Sequence, residues 1–213
     1  VHTAAVNPGL GTDFEGVNVA GTANVAKAAA GVGARLVHIS TDVVFDGRRG
    51  NYREEDPIRP LNEYGRSKAA AEQAVVDSGA HAVIVRTSLI YGWRPTVARA
   101  AQWMIDTLDR REIVRLWSDE MRCPIWVESL ANALVELASS DYKGMLHVAG
   151  AEKMSRYQFG VALLRFHGVD RGPVFAMPVP TDRPRPRDCS LDISRARELL
   201  HTPLPGVNEV LAR

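Results

Sequence analysis

Two short stretches carry residues that could do chemistry: "YGRSK", with Tyr64 and Lys68 four apart, and "HISTDVVFDG", with Ser40, Thr41 and Asp42 in a row. On a helix, residues four apart lie one turn apart on a shared face. A phenol beside an ammonium can serve as an acid that neither group is alone. Tyrosine's ordinary pKa is about 10, and a neighbouring cation lowers it; bringing it to neutrality asks about 4 kcal/mol of its surroundings. Lys68 together with a cationic cofactor ring would supply that much. A hydroxyl such as Thr41 would then hold a substrate carbonyl while Tyr64 exchanges its proton. By itself the Tyr-x-x-x-Lys spacing is a common chance pattern whose bland reading is a surface pair.

The surrounding elements decide between these readings. "RLVHIS" and "HAVIVRTSLIYG" are near-continuous apolar runs with β-branched residues, the pattern of strands covered on both faces. "TDFEGVNVAGTANVAKAAAG" reads as a helix with Thr12 as N-cap, Glu15 three residues on, and Gly31 just past its end. After a loop with Gly47, Gly50, Pro57 and Pro60, Asn62 is placed to cap "EYGRSKAAAEQAVVDSG". Further on come a helix "TVARAAQWMIDTLDR", a strand "EIVRLW", a helix "ESLANALVELASS", a strand "MLHVAG" and a helix "SRYQFGVALLRFHG" capped by Ser155. This alternation predicts an α/β fold: βαβ units in a Rossmann-like, doubly wound parallel sheet. The Pro-rich stretch from Gly172 is expected to run extended, with "SRARELL" a short helix after it, as part of a smaller, less regular C-terminal portion. Residues 1–118 are read as a Rossmann-like domain and 119–213 as a mixed part with elements returning to the sheet. In open parallel sheets ligands sit beyond the carboxyl ends of the strands, where Ser40-Thr41-Asp42, Thr87-Ser88 and Thr3-Ala4-Ala5 all fall.

Composition narrows the classes. The 213 residues are 46% hydrophobic and 24% charged with a formal net charge of +1, which gives no basic footprint for nucleic acid and no polybasic membrane surface. No apolar run approaches the ~20 residues of a membrane span, and "VHTAAVNPG" does not read as a signal peptide. Cys123 and Cys189 fit a reducing cytoplasm and are expected to be packing residues. The six histidines lack metal-ligand spacing, so no metal is expected.

"VHTAAV", "NVAGTANVAKAA", "HISTDVVFDG", "YREEDPIRPLNEYGRSKAAAEQAV" and "VIVRTSLIYG" resemble successive landmarks of the extended short-chain dehydrogenase/reductase superfamily. They are most similar to the dTDP-4-dehydrorhamnose reductase family, which "SDEMRCPIWVESLANAL" and "RPRDCSLDISRARELL" also resemble. The resemblance implies NAD(P)H-dependent reduction of a keto group on a nucleotide-linked sugar, with NAD or NADP as cofactor and a homodimer as an assembly. Carried over residue by residue, it makes Thr41, Tyr64 and Lys68 catalytic. It puts Ala4, Ala5, Ser40, Tyr64, Lys68, Thr87 and Leu89 at the cofactor, and Asp42, Val43, Ser88 and Arg122 at the substrate. Residues 1–118 would bind NAD(P) and 119–213 mainly the substrate.

The sequence also departs from that pattern. The family's G-x-x-G-x-x-G loop is absent, and the chain opens at what would be the fourth strand; about 60 residues of βα units are expected upstream. Val43 and Leu89 replace an aromatic and a tryptophan where the sugar would sit, and Val43 removes the second carboxylate that a sugar-nucleotide dehydratase needs. Two alternatives therefore stay open: a non-catalytic regulatory subunit on the same fold, like that of methionine adenosyltransferase, and a sugar-nucleotide epimerase. "RPRPR" at 183–187 reads either as a diphosphate contact or as a solvated linker.

Overall fold

The computed structural model describes residues 1–9, 11–93, 99–169, 172–182 and 184–212. Its strands are β1 (Leu36–Thr41), β2 (Ala82–Thr87), β3 (Ile90–Tyr91), β4 (Val114–Trp117), β5 (Met121–Arg122), β6 (Ile125–Trp126), β7 (Gly144–His147), β8 (Met154–Ser155) and β9 (Val174–Met177). Its α-helices are α1 (Gly21–Gly31), α2 (Glu63–Asp77), α3 (Arg99–Asp109), α4 (Val127–Ala138), α5 (Arg156–Phe166), α6 (Ser194–Leu199) and α7 (Val207–Leu211).

The two apolar runs pair as parallel neighbours, with Leu36 opposite Ala82 and Thr41 opposite Thr87, and β7 adds in parallel on the other side of β2. His2 extends the sheet past β1 by a parallel bridge to His38. Alternate residues serve opposite faces. Leu36 and Ile84 pack with Ala26 of α1 and Val75 of α2, while Val37, Val83 and Val85 pack with Leu130, Ala133 and Leu137 of α4. Helices on both faces explain why these strands read as uninterrupted apolar runs. The fold is therefore the Rossmann-like α/β sheet that the sequence predicts. A further core joins α3, β4 and α5 through Met104, Leu116, Phe159 and Leu163.

Local signals fare unevenly. Asn62 Oδ1 accepts from the Gly65 amide at 2.8 Å, and Ser155 forms a full capping box with Gln158. The cap expected from Thr12 falls instead to Asp13, whose carboxylate accepts from the Gly16 amide at 2.8 Å and opens a π-helical stretch, Phe14–Ala20, ahead of α1. Gly31 closes α1 rather than following it; Gly33, at φ +65°, takes the left-handed position instead. The Pro-rich stretch is extended, and part of it, β9, pairs in parallel with β4. Thr96, Val97 and Ala98 of the helix expected there lie outside the described residues. Cys123 and Cys189 are buried free thiols, and burial pushes the Cys123 thiol up to about 11.

Candidate active site

A cavity of about 650 Å³ opens at the carboxyl ends of β1 and β2. Ser40 to Val43 line it from β1 and the turn beyond, Tyr64 and Lys68 from α2, Thr87 to Leu89 from β2, and Arg122 from β5. Of the residues singled out from the sequence, all but Ala4 line this cavity. Ala4 is exposed, whereas Thr3 and Ala5 on either side of it face the cavity, as alternation along an extended segment dictates.

The Asn62 cap starts α2 so that Tyr64 falls in its first turn, with Lys68 one turn on. Gly65 lets that turn settle on the chain after β1, since a Cβ there would stand 2.5 Å from the Val43 carbonyl oxygen. Lys68 is 3% exposed, and its Nζ donates to the Ile39 carbonyl at 2.6 Å. Tyr64 hydrogen-bonds Thr41, yet burial, aided by the Asp42 charge, pushes its phenol up to about 12. Burial lowers Lys68 to about 8, with Glu72 opposing. Within the chain itself the phenol is raised, because desolvation and the Asp42 carboxylate outweigh its hydrogen bond with Thr41; the expected lowering invoked a cationic cofactor ring as well as Lys68. With its pKa near 12, the Tyr64 phenol carries its proton at neutral pH.

Several neighbours are engaged with one another. Asp42 accepts from Ser88 Oγ at 2.6 Å and pairs with Arg122 Nε at 3.5 Å; burial nevertheless raises its pKa. Arg122 also reaches Glu120 at 3.5 Å, and Arg185 binds Glu120 with contacts of 2.8 and 3.2 Å. Arg187 pairs with Asp119, while Arg183 lies outside the described residues. Ser40 Oγ donates to Glu72 at 2.5 Å, so this hydroxyl serves an internal contact. Thr87 differs: its hydroxyl is buried on the cavity wall without a hydrogen-bond partner among the described residues. Behind the cavity, fully buried Asn18 joins three segments. Its Oδ1 accepts from the Val6 amide at 2.7 Å, and its Nδ2 donates to the Val6 carbonyl at 3.1 Å and to Ser67 Oγ at 3.0 Å.

Sequence reasoning missed Glu120, Arg156 and Asn18. Arg156 lines the cavity from the first residue of α5, where the helix dipole disfavours a cation; that breach of a local rule was the available signal. Glu120 carries no comparable mark.

A parallel sheet wrapped on both faces, with a Tyr–Lys pair at its carboxyl edge, defines a Rossmann-like dehydrogenase/reductase fold. Residues 12–213 match the family described as the RmlD substrate binding domain, and the chain belongs to that family. It is 33% identical over 193 residues to bovine (Bos taurus) methionine adenosyltransferase 2 subunit beta, covering 86% of this chain and 58% of that protein. It is 34% identical over 184 residues to a protein of Haloferax volcanii named as a probable low-salt glycan biosynthesis reductase, covering 83% of this chain and 61% of that one. The chain thus spans about three fifths of the length of these relatives. The crystal structure of dTDP-4-dehydrorhamnose reductase from Bacillus anthracis in complex with NADP superposes with a TM-score of 0.84 at 30% identity, over 100% of this chain and 78% of that one. Among the described residues no helix is long and apolar enough to cross a membrane.

Proposed function

We propose that this protein contributes the catalytic side of an NAD(P)H-dependent reductase acting on a keto group of a nucleotide-linked sugar, of the dTDP-4-keto-6-deoxy type. The observation that carries the reading is the convergence of Thr41, Tyr64 and Lys68 on one cavity at the sheet's carboxyl edge. Kinship with a dTDP-4-dehydrorhamnose reductase and with a glycan biosynthesis reductase supports it.

The residues present suit a nicotinamide cofactor, NAD or NADP. The Thr87 hydroxyl, without a hydrogen-bond partner among the described residues, and the Lys68 ammonium are polar groups on the cavity wall, and Ala5 and Leu89 add apolar surface. When bound, the reduced nicotinamide supplies the hydride. Thr41 and Tyr64 orient the substrate carbonyl by hydrogen bonds, and Tyr64 delivers its proton to the carbonyl oxygen as that oxygen gains charge. A phenol kept protonated at neutral pH suits reduction rather than the reverse reaction. Lys68, anchored on Ile39, stabilises the phenolate left behind. Asp42, Ser88 and Arg122 hold one another, and we read them as shaping the substrate side together with Val43, whose short side chain leaves room there. In the same reading, residues 1–118 hold the cofactor and 119–213 mainly the substrate. The α1–α2 face, with Val25, Val32 and Val76 exposed, is the candidate homodimer contact.

A second reading, a binding subunit without turnover, is favoured by the likeness to a methionine adenosyltransferase subunit. The deciding assay follows NADPH or NADH absorbance with a dTDP-4-keto-6-deoxy sugar, on protein from the longest reading frame containing this chain. Oxidation that Tyr64→Phe removes supports the reductase. Cofactor binding without oxidation supports the subunit, and sugar isomerisation without net oxidation supports an epimerase.

A further inference from the structure

Phe14 opens the π-helical stretch Phe14–Ala20 and is the one residue of 11–17 that is not exposed. It joins none of the hydrophobic clusters formed by the described residues. Its ring lies instead against the ring of Tyr64, with centroids 6.2 Å apart and planes at 60°. That is a tilted pairing within the range aromatic rings favour. Four residues on, Asn18 reaches the main chain of the same tyrosine. Its Nδ2 donates to Ser67 Oγ at 3.0 Å, and Ser67 Oγ donates to the Tyr64 carbonyl at 2.8 Å. One short stretch of chain thus meets both the ring and the backbone of Tyr64.

The two contacts settle different things. The Asn62 cap, the Gly65 contact with Val43 and the Asn18–Ser67 link fix where the Tyr64 backbone stands. The side-chain torsions are still to be set. Thr41 holds the hydroxyl end, but both residues line the cavity, so a ligand there competes for that bond. Phe14 does not line the cavity, and nothing bound there competes for its ring. A phenylalanine that joins no core, yet turns from an exposed segment onto this one ring, has its orientation as its task. π-Helical turns occur mostly as single departures from an α-helix, frequently at functional sites.

We propose that Phe14 is a positioning residue for Tyr64: its ring holds the phenol in the side-chain rotamer that meets Thr41. This goes beyond the reductase reading, because it concerns the orientation of one side chain whatever reaction that side chain serves.

The test is NMR of the 213-residue chain labelled at tyrosine side chains, with the Tyr64 signals assigned by their loss in Tyr64→Phe. Wild type should show a single Tyr64 rotamer in its side-chain couplings, and Overhauser contacts between the rings of Phe14 and Tyr64. In Phe14→Ala the couplings should average, the ratio of aligned to other rotamers falling about two- to tenfold, the worth of one aromatic pair. Phe14→Leu should fall between the two. Thr41→Val, which removes only the hydroxyl bond, should leave the rotamer in place. Unchanged couplings in a folded Phe14→Ala chain overturn the proposal, and so does a Tyr64 ring that Thr41→Val sets free. Averaging that comes with faster amide exchange along α2 is loss of structure and overturns it as well. Where Phe14→Ala does not fold, Phe14→Leu is read in its place, and unchanged couplings there overturn it equally. Turnover is not read, so a chain that shows the averaging but reduces no keto sugar sinks only the reductase reading.

Discussion

Replacing Asn18 by alanine tests how the cavity's inner wall is held. The side chain is 0% exposed and makes three hydrogen bonds, two to the Val6 backbone and one to Ser67. Each buried bond of this kind contributes about 1 kcal/mol net, so their joint loss removes about 3 kcal/mol. Val6 is only partly buried, and water reaching its freed amide and carbonyl would recover part of that. Ser67 keeps its own bond to the Tyr64 carbonyl at 2.8 Å and adds little to the loss. The expected cost is therefore about 2–3 kcal/mol, measured by urea denaturation with an unchanged m-value. Amide exchange at Val6 should accelerate more than exchange in β2, because the damage is local. Asn18→Asp gives a second check. It keeps the acceptor but buries a carboxylate, whose pKa in the folded state must rise, so this variant should recover stability as pH falls. A loss under 1 kcal/mol in Asn18→Ala, or a pH-independent Asn18→Asp, would refute the view that this amide bolts residues 3–8 to α2.

Other expectations are as direct. Tyr64→Phe should lower keto-sugar reduction by about 10²–10⁴-fold, followed by nicotinamide absorbance. Thr87→Val should stabilise the chain by about 1 kcal/mol, because the buried hydroxyl has no partner among the described residues, and should weaken nicotinamide cofactor binding; a destabilised variant would show that the hydroxyl is satisfied. Buried His38 and His147, lowered by desolvation to about 3 and about 4, resist protonation in the folded state. Their contribution is complete above the ordinary value of 6.5 and falls as pH drops through the window toward these values, by about 1.4 kcal/mol per pH unit for each histidine. Urea titrations at several acidic pH values should therefore show a flatter limb in His38→Leu than in wild type.

What could be read from sequence was what local chemistry dictates. β1 and β2 were legible because strands buried on both faces leave unbroken apolar runs, and α2 and α5 because Asn62 and Ser155 cap them in the ordinary way. The π-helical stretch was not, since its i to i+5 bonding imitates the periodicity of a helix, and the Thr12–Glu15 spacing imitated a box that Asp13 pre-empts. Nor could a Pro-rich stretch announce that it would pair with β4, because its partner Val114 stands far back in the chain from Val174. The cavity's polar residues could be found by asking what lies at strand ends. Which of their atoms stay available could not: whether Ser40 points to Glu72, or Thr87 finds a partner among the described residues, depends on neighbours brought from elsewhere in the chain.

The seat of Gly65 on the Val43 carbonyl separates two jobs held by one residue. The backbone of Val43 sets how near the first turn of α2 comes to the end of β1, and so how near Tyr64 comes to Thr41. Its side chain takes no part in that contact and lines the cavity instead. A substitution at position 43 can therefore reshape what the cavity admits while the backbone contact that spaces Tyr64 from Thr41 stays in place. Position 65 has no such freedom, since any side chain there would collide with main chain. A change at 43 alters what the cavity meets, whereas a change at 65 alters where α2 itself can lie.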